Sequence, residues 1–188
     1  MVTAVLLKYK RPIEAIKRHL ESIPEITQVV VWDNTCANIM CFGRYLAALE
    51  SENDTIYTQD DDCIVNNILE LISAYNGTSI ISAMKPWHIK AYAKHPETLM
   101  GWGSVFSRKW IRVFNRYISQ YGIDNILLRE ADRIFTGLNR YTVTEADIRQ
   151  LDCERDDNAM FLDDCHKESV REARERIGWV KATENRST

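Results

Sequence analysis

Apolar residues recur in two alternating rhythms over the first 80 positions. Residues 3–7 form a short β-branched run, read as a first strand, and Lys8, Tyr9, Lys10, Arg11 and Pro12 end it. Ile13, Ile16, Leu20 and Ile23 then follow at helical spacing, with Pro12 suited to the first turn and Pro24 to the stop. Residues 28–32 are a continuous hydrophobic run, the pattern of a strand covered on both faces, ending in Asp33-Asn34. A second helix over 42–49 turns Tyr45, Leu46 and Leu49 inward. Residues 55–58 predict a third strand running into Asp60, Asp61 and Asp62. Val65, Ile68, Leu69 and Ile72, spaced i, i+3, i+4, i+7, predict the amphipathic helix behind it.

This alternation argues for parallel strands with helices on their faces. Ligands of such sheets gather beyond the carboxyl ends of the strands, where Lys8 to Arg11, Asp33-Asn34 and the three aspartates fall. Further on, 79–84 reads as a strand and 85–96 as a mobile connection whose His88 and His95 could touch substrate. Gly101-Trp102-Gly103-Ser104 leads into another strand, and its indole suits a sugar or base platform or, equally, a core Trp at a bulge. Residues 108–121 and 124–138 read as helices, the second burying Leu127, Leu128, Ala131, Ile134, Phe135 and Leu138. Glu130 and Asp132 then flank Ala131 by about 100° each, so one regular helix does not aim both into one site. Residues 140–145 predict a strand, 147–164 an irregular acidic loop, and His166 opens a last helix carrying a Glu172–Arg176 pair on a solvated face. One domain over 1–180 with a frayed tail at 181–188 is expected.

Composition narrows the functional classes. A net charge of −3 and a pI near 5.8 give no global field for nucleic acid or anionic membrane. No apolar run approaches the roughly 20 residues of a membrane span, and no signal-peptide pattern precedes Lys8, so a cytoplasmic chain beginning near Met1 is expected. Five cysteines without a C-x-x-C pair read as reduced thiols; a zinc site from Cys153, Cys165 and His166 is the competing reading.

The three aspartates carry the chemistry. Adjacent negative charges need a cation or full solvation. On an extended segment Asp60 and Asp62 share a face and Asp61 points away, so the pair can hold a divalent ion through oxygen. The alternative is a solvated acidic loop with Asp62 capping the next helix.

Together these residues resemble a small nucleotide-sugar glycosyltransferase of the GT-A type, over about residues 2–176. The opening strand with its Arg11-Pro12, the Asp33-Asn34 strand end, Arg44 on the next helix and Gln59-Asp60-Asp61-Asp62 are similar to that family's successive motifs. The aspartates resemble most closely the three-aspartate form of the exostosin C-terminal domain. Gly101 to Arg108 is similar to the acceptor-side segment, Arg129 to Phe135 to the later acidic helix motif, and His166 to the C-terminal metal histidine. The acidic doublet is interrupted here by Ala131, and Arg133 follows Asp132.

The resemblance implies an α/β, Rossmann-like GT-A fold with a mixed, mostly parallel sheet and helices on both faces. It implies a donor site of Lys8, Lys10, Arg11, Asp33, Asn34, Arg44, Asp60 and Asp61, and an acceptor side of Gly101, Trp102, Gly103, Ser104 and Arg108. Asp62, Asp60 and His166 become metal ligands, with Mn²⁺ favoured over Mg²⁺ if imidazole ligates. Asp132, or Glu130, becomes the catalytic carboxylate: a general base in an inverting enzyme, a sugar-positioning group in a retaining one. A UDP-sugar is the expected donor. The acceptor is a glycan, a protein or a hydroxymethylated DNA base, the last on account of Arg108, Lys109, Arg112 and Arg116. The competing readings are a nucleotidyltransferase, against which the absence of glycine in 8–12 counts, and a non-catalytic nucleotide- or glycan-binding module.

Overall fold

A six-stranded sheet organises the chain in the computed structural model, which describes residues 1–92, 95–151 and 165–184. Its strands are β1 (Val2–Lys8), β2 (Ile26–Asp33), β3 (Thr55–Asp60), β5 (Ile80–Met84), β6 (Ser104–Ser107) and β7 (Tyr141–Glu145), in the order β2-β1-β3-β6-β5-β7. All run parallel except β6, which is antiparallel to both its neighbours. The helices are α1 (Glu14–Glu21), α2 (Gly43–Leu49), α3 (Ile68–Ala74), α4 (Pro86–Tyr92), α5 (Val113–Tyr121), α6 (Asn125–Leu138) and α7 (His166–Glu184).

Period-two alternation along the strands separates two apolar layers. Val5, Ile56, Ile80 and Phe106 face α2, α5, α6 and α7, meeting Tyr45, Phe114, Ile134, Phe135 and Ile177. Ala4, Leu6, Tyr57, Ile81 and Val105 face α1 and α3, meeting Ile16, Leu20, Ile68 and Leu71. The first layer is aromatic: the Tyr45 ring centroid lies 4.7 Å from that of Phe135 and 4.8 Å from that of Phe114. The mixed, mostly parallel α/β sheet with helices on both faces is thus as the resemblance implies, with β6 departing from the all-parallel reading of the pattern.

Several local expectations are corrected. Residues 28–32 belong to an edge strand, so Val29, Val30, Val31 and Trp32 are only partly buried. Pro12 precedes α1, whose N-cap is Ile13. Leu49 is 54% exposed, and the buried members of α2 are Gly43, Tyr45, Ala47, Ala48 and Arg44. Val65 is not helical: it ends a short strand β4 (Cys63–Val65) that pairs antiparallel with β8 (Ile148–Gln150), inside the stretch expected to be irregular. Asp62 does not cap α3, whose N-cap is Asn67. The expected mobile connection holds α4, which opens on Pro86. Residues 181–184 continue α7 rather than fraying. Residues 152–164, with Cys153 of the conceived zinc site, and the tail 185–188 lie outside the described residues. No helix among the described residues is long and apolar enough to cross a membrane.

Candidate active site

Parallel strands end on one side of their sheet, so β1, β2, β3, β5 and β7 deliver Lys8, Asp33, Asp60, Lys85 and Ala146 to a common edge. β6 starts there, because Thr58 pairs with Ser104. The small β4–β8 sheet braces the aspartate turn: Leu151 N–H donates to the Asp62 carbonyl at 2.8 Å, and buried Gln59 Nε2 donates to the Cys63 carbonyl at 2.7 Å.

The three aspartates have three different environments. Asp61 is buried and accepts from the Tyr9 N–H at 2.5 Å and from Arg11 Nη1 at 2.8 Å. It therefore pins the loop after β1, where Lys10 adopts a φ of 62°. Burial pushes its pKa up, against the two hydrogen bonds. Both oxygens of Asp61, expected at the donor site, are thus engaged by the protein.

Asp60 ends β3. Its N–H donates to the Gly101 carbonyl at 2.8 Å and its Oδ1 accepts from Arg44 Nη2 at 2.7 Å. Gly101 leaves room for the Asp60 carboxylate: a Cβ there would lie 1.9 Å from Asp60 Oδ2, so that side chain would have to shift. Gly101→Ala is expected to push Asp60 aside and lower metal-dependent nucleotide affinity at least tenfold, about 1.4 kcal/mol, in calorimetric titration. Unchanged affinity would detach Asp60 from that binding.

Asp62 has a buried Oδ1 with no hydrogen-bond partner. Burial first, then the charge of Asp60, raises its pKa to about 6. An orphaned carboxylate oxygen beside a second carboxylate fits one face of a hard divalent ion, the remaining positions being left to phosphate and water oxygens. Among the described residues no group of three His, Cys, Asp or Glu converges as a metal site. His166 therefore does not complete one with Asp60 and Asp62. It opens α7 beside α6, with Nδ1 3.7 Å from Glu130 Oε1.

Arg44 links this turn to α6. The guanidinium, 1% exposed, holds Asp60 through Nη2 and faces Asp132 Oδ1 through Nε at 3.0 Å. The Tyr45 hydroxyl donates to the same Asp132 oxygen at 2.9 Å. Burial raises the Asp132 pKa to about 6, with Arg44 pulling it down and Asp60 pushing it up. Arg44, expected at the donor site, is thus engaged by two protein carboxylates. Glu130, expected to be either catalytic or surface decoration, is not on the surface: it is buried, accepting from Ser169 Oγ at 2.6 Å and Arg133 Nε at 3.1 Å. Arg133 also reaches buried Glu97 at 2.5 Å, which explains a cation after Asp132. The helix leaves regular geometry at Glu130 (φ −108°, ψ 21°).

On the donor side, Lys8 Nζ donates to exposed Asp33 at 2.6 Å, and this lysine and the Thr35 donors hold Asp33 down to about 2. Asn34 is buried and spent on scaffolding: its Oδ1 accepts from Trp32 Nε1 and the Ile39 N–H, and its Nδ2 donates to the Met40 carbonyl. Lys10 lies 4.8 Å from the Tyr9 ring centroid. Lys8, Lys10, Arg11 and Asp33 thus stand at the edge, while Asn34 shapes the following loop.

The acceptor segment splits. Gly101, Trp102 and Gly103 (φ 101°) adjoin Asp60, with Trp102 half-buried. Ser104 is fully buried, bonded to the Met100 carbonyl at 3.2 Å. Arg108 lies at the opposite end of β3, donating to Asp54 at 2.9 Å and the Ser51 carbonyl at 2.5 Å. Because β6 is antiparallel, exposed Lys109 and Arg112 also leave from that far edge, away from the aspartates. Sequence reasoning missed Tyr45 and Lys85; the first was legible only as a core position, and the second was in view as the residue directly after a predicted strand.

No protein-family model and no curated relative matches the chain. Among solved structures, glucosyl-3-phosphoglycerate synthase from Mycobacterium tuberculosis, in complex with Mn²⁺, UDP and phosphoglyceric acid, superposes with a TM-score of 0.53 at 9% identity, covering 94% of this chain and 78% of that one. The same enzyme with Mg²⁺ and UDP gives 0.52 at 10% identity, covering 94% and 79%. With Mn²⁺, UDP and glucosyl-3-phosphoglycerate it gives 0.51 at 11%, covering 94% and 80%. At these identities the likeness is one of fold: this chain has the GT-A-like, Rossmann-like architecture of that enzyme.

Proposed function

We propose that this chain is a glycosyltransferase that moves a sugar from a nucleoside-diphosphate donor, a UDP-sugar, to an acceptor hydroxyl with the help of a divalent cation. The carrying observation is the turn at the end of β3, where the unpartnered buried Oδ1 of Asp62 stands beside Asp60. The UDP and Mn²⁺ or Mg²⁺ complexes of the structural neighbour support the same reading.

When bound between Asp60 and Asp62, the cation would offset the charge that develops on a departing diphosphate. Lys8, Lys10 and Arg11 stand where donor phosphates would arrive, and Asp61 holds that loop in place. Arg44 keeps Asp60 and Asp132 in fixed relation while neutralising part of both charges. Asp132, 19% exposed and lifted to about 6, takes the acceptor proton as general base. Glu130 is given no catalytic role, since both its oxygens are engaged, Oε1 by Ser169 and Oε2 by Arg133, whereas the Arg44 and Tyr45 contacts of Asp132 both fall on Oδ1.

Isothermal titration with UDP, with Mn²⁺ or Mg²⁺ and then with EDTA, tests the donor site; absent nucleotide binding with either metal refutes the reading. The Asp132 assignment has a pH signature. A base works deprotonated, so kcat/KM rises with pH through about 6 and levels above it. Asp132→Asn is expected to lower kcat by about 100-fold or more, to erase that inflection and to retain UDP binding. Asp62 is lifted into the same range, so the profile is read at saturating metal, where that carboxylate stays ionised; an inflection surviving the substitution there assigns the base elsewhere.

A further inference from the structure

Beyond the donor site, the carboxyl edge carries a second constellation. Lys85, directly after β5, places its Nζ 5.5 Å from the Trp87 ring centroid and 5.3 Å from that of Trp102. Its hydrogen bond goes to neutral Gln150 Oε1, at 2.6 Å, and no carboxylate among the described residues pairs with it. The His88 ring stands edge-on to Trp102 at 4.9 Å, and its Nδ1 is buried with no hydrogen-bond partner. Trp87 is 70% exposed on α4, a helix that contributes no buried residue to either layer. Packing therefore does not account for this indole. Trp102 follows Gly101, whose carbonyl accepts from Asp60, so the cluster adjoins the proposed donor turn.

Resting on the glycosyltransferase reading, we infer that Trp87, Trp102, Lys85 and His88 form the acceptor subsite, and that its ligand is a pyranose carrying an anionic substituent. Indole faces stack on the C–H face of a sugar ring, and a partly desolvated ammonium without a carboxylate partner selects a carboxylate or phosphate on that ring. The electrostatics favour a small anion over a nucleic acid. The edge bears Asp33, Asp60, Asp61, Asp62, Glu145 and Asp147 against Lys8, Lys10, Arg11 and Arg149, with Lys8 and Arg11 paired to Asp33 and Asp61, whereas exposed Lys109 and Arg112 leave from the opposite edge. A string of phosphates laid over the edge would meet that row of carboxylates; one anion seated at Lys85 need not.

The test follows the indole N–H resonances of the five tryptophans in the full-length protein. The probes are methyl β-D-glucuronide, glucose 6-phosphate, methyl β-D-glucoside and a short DNA duplex. Trp87 and Trp102 are expected to shift saturably with the charged sugars while Trp32, Trp110 and Trp179 stay in place. The neutral glucoside should bind about tenfold more weakly, a factor that Lys85→Gln removes. A response to only one charged sugar names the substituent as carboxylate or phosphate. No saccharide response, equal affinity for neutral and charged sugars, or a response to DNA alone overturns the proposal. UDP calorimetry on the same samples separates the two readings. UDP binding without a saccharide response removes this subsite and leaves the transferase; saccharide binding without UDP leaves a glycan-binding site and removes the transferase.

Discussion

Asp62→Asn is expected to abolish metal-dependent UDP binding and, in the metal-free protein, to raise the melting temperature. The two effects have one cause. Asp62 Oδ1 is buried without a partner, and neighbouring Asp60 adds like charge. Holding that carboxylate ionised at neutral pH costs the folded protein free energy, which is why its pKa rises to about 6. An amide of the same shape removes the charge, for a gain of about 1–2 kcal/mol, or roughly 2–8 °C in a chain of this size. The same amide is a poor ligand for a hard cation, so the affinity that charge confers on the metal and diphosphate disappears. Differential scanning without metal and titration with Mn²⁺ and UDP read the two effects separately. A merely solvated acidic turn predicts neither, and full UDP–Mn²⁺ affinity in the variant would remove Asp62 from the site.

The parts of this architecture that were legible in the sequence are those imposed by strand direction. Once the residue 1–80 pattern implies parallel strands, Lys8, Asp33 and Asp60 must end at one edge, and they do. Arg108 was misplaced by the same logic: β6 runs the other way, so Gly101 and Trp102 before it stand at the site and Arg108 after it does not. Val65 fits a helical spacing as well as a strand, and its pairing with Ile148 depends on a partner over 80 residues away, which periodicity does not contain. α4 was readable, since Pro86 is a good first helical residue, but the prolines and histidines around it read as loop. Arg44 shows the limit most clearly. The resemblance implies a donor-binding Arg44, and its helical position does not contain the two carboxylates from β3 and α6, distant in sequence, that make its burial tolerable.

That burial makes Arg44 the position where substitution should cost the fold most among the polar residues of the site. Arg44→Met keeps much of the side-chain volume but leaves Asp60 and Asp132 facing one another without the cation between them. Removing one member of a buried ionic cluster costs about 3–5 kcal/mol. Asp60 is 36% exposed, so solvent screens its share, and Asp132 at 19% carries most of the penalty; the lower end, about 3 kcal/mol, is expected. The corresponding fall in melting temperature is roughly 6–12 °C. Arg44→Lys should recover little, because one ammonium does not reproduce the two-sided fork that meets Asp60 through Nη2 and Asp132 through Nε. The cause is separable from lost packing by adding Asp132→Asn to Arg44→Met. Removing the stranded charge should return about half of the lost stability, so the double variant unfolds later than Arg44→Met alone. Arg171→Met, at a 71%-exposed arginine of α7, sets the baseline for losing a surface cation. If Arg44→Met costs no more than that baseline, Arg44 does not hold Asp60 and Asp132 together, and the electrostatic link between the metal turn and the proposed base fails with it.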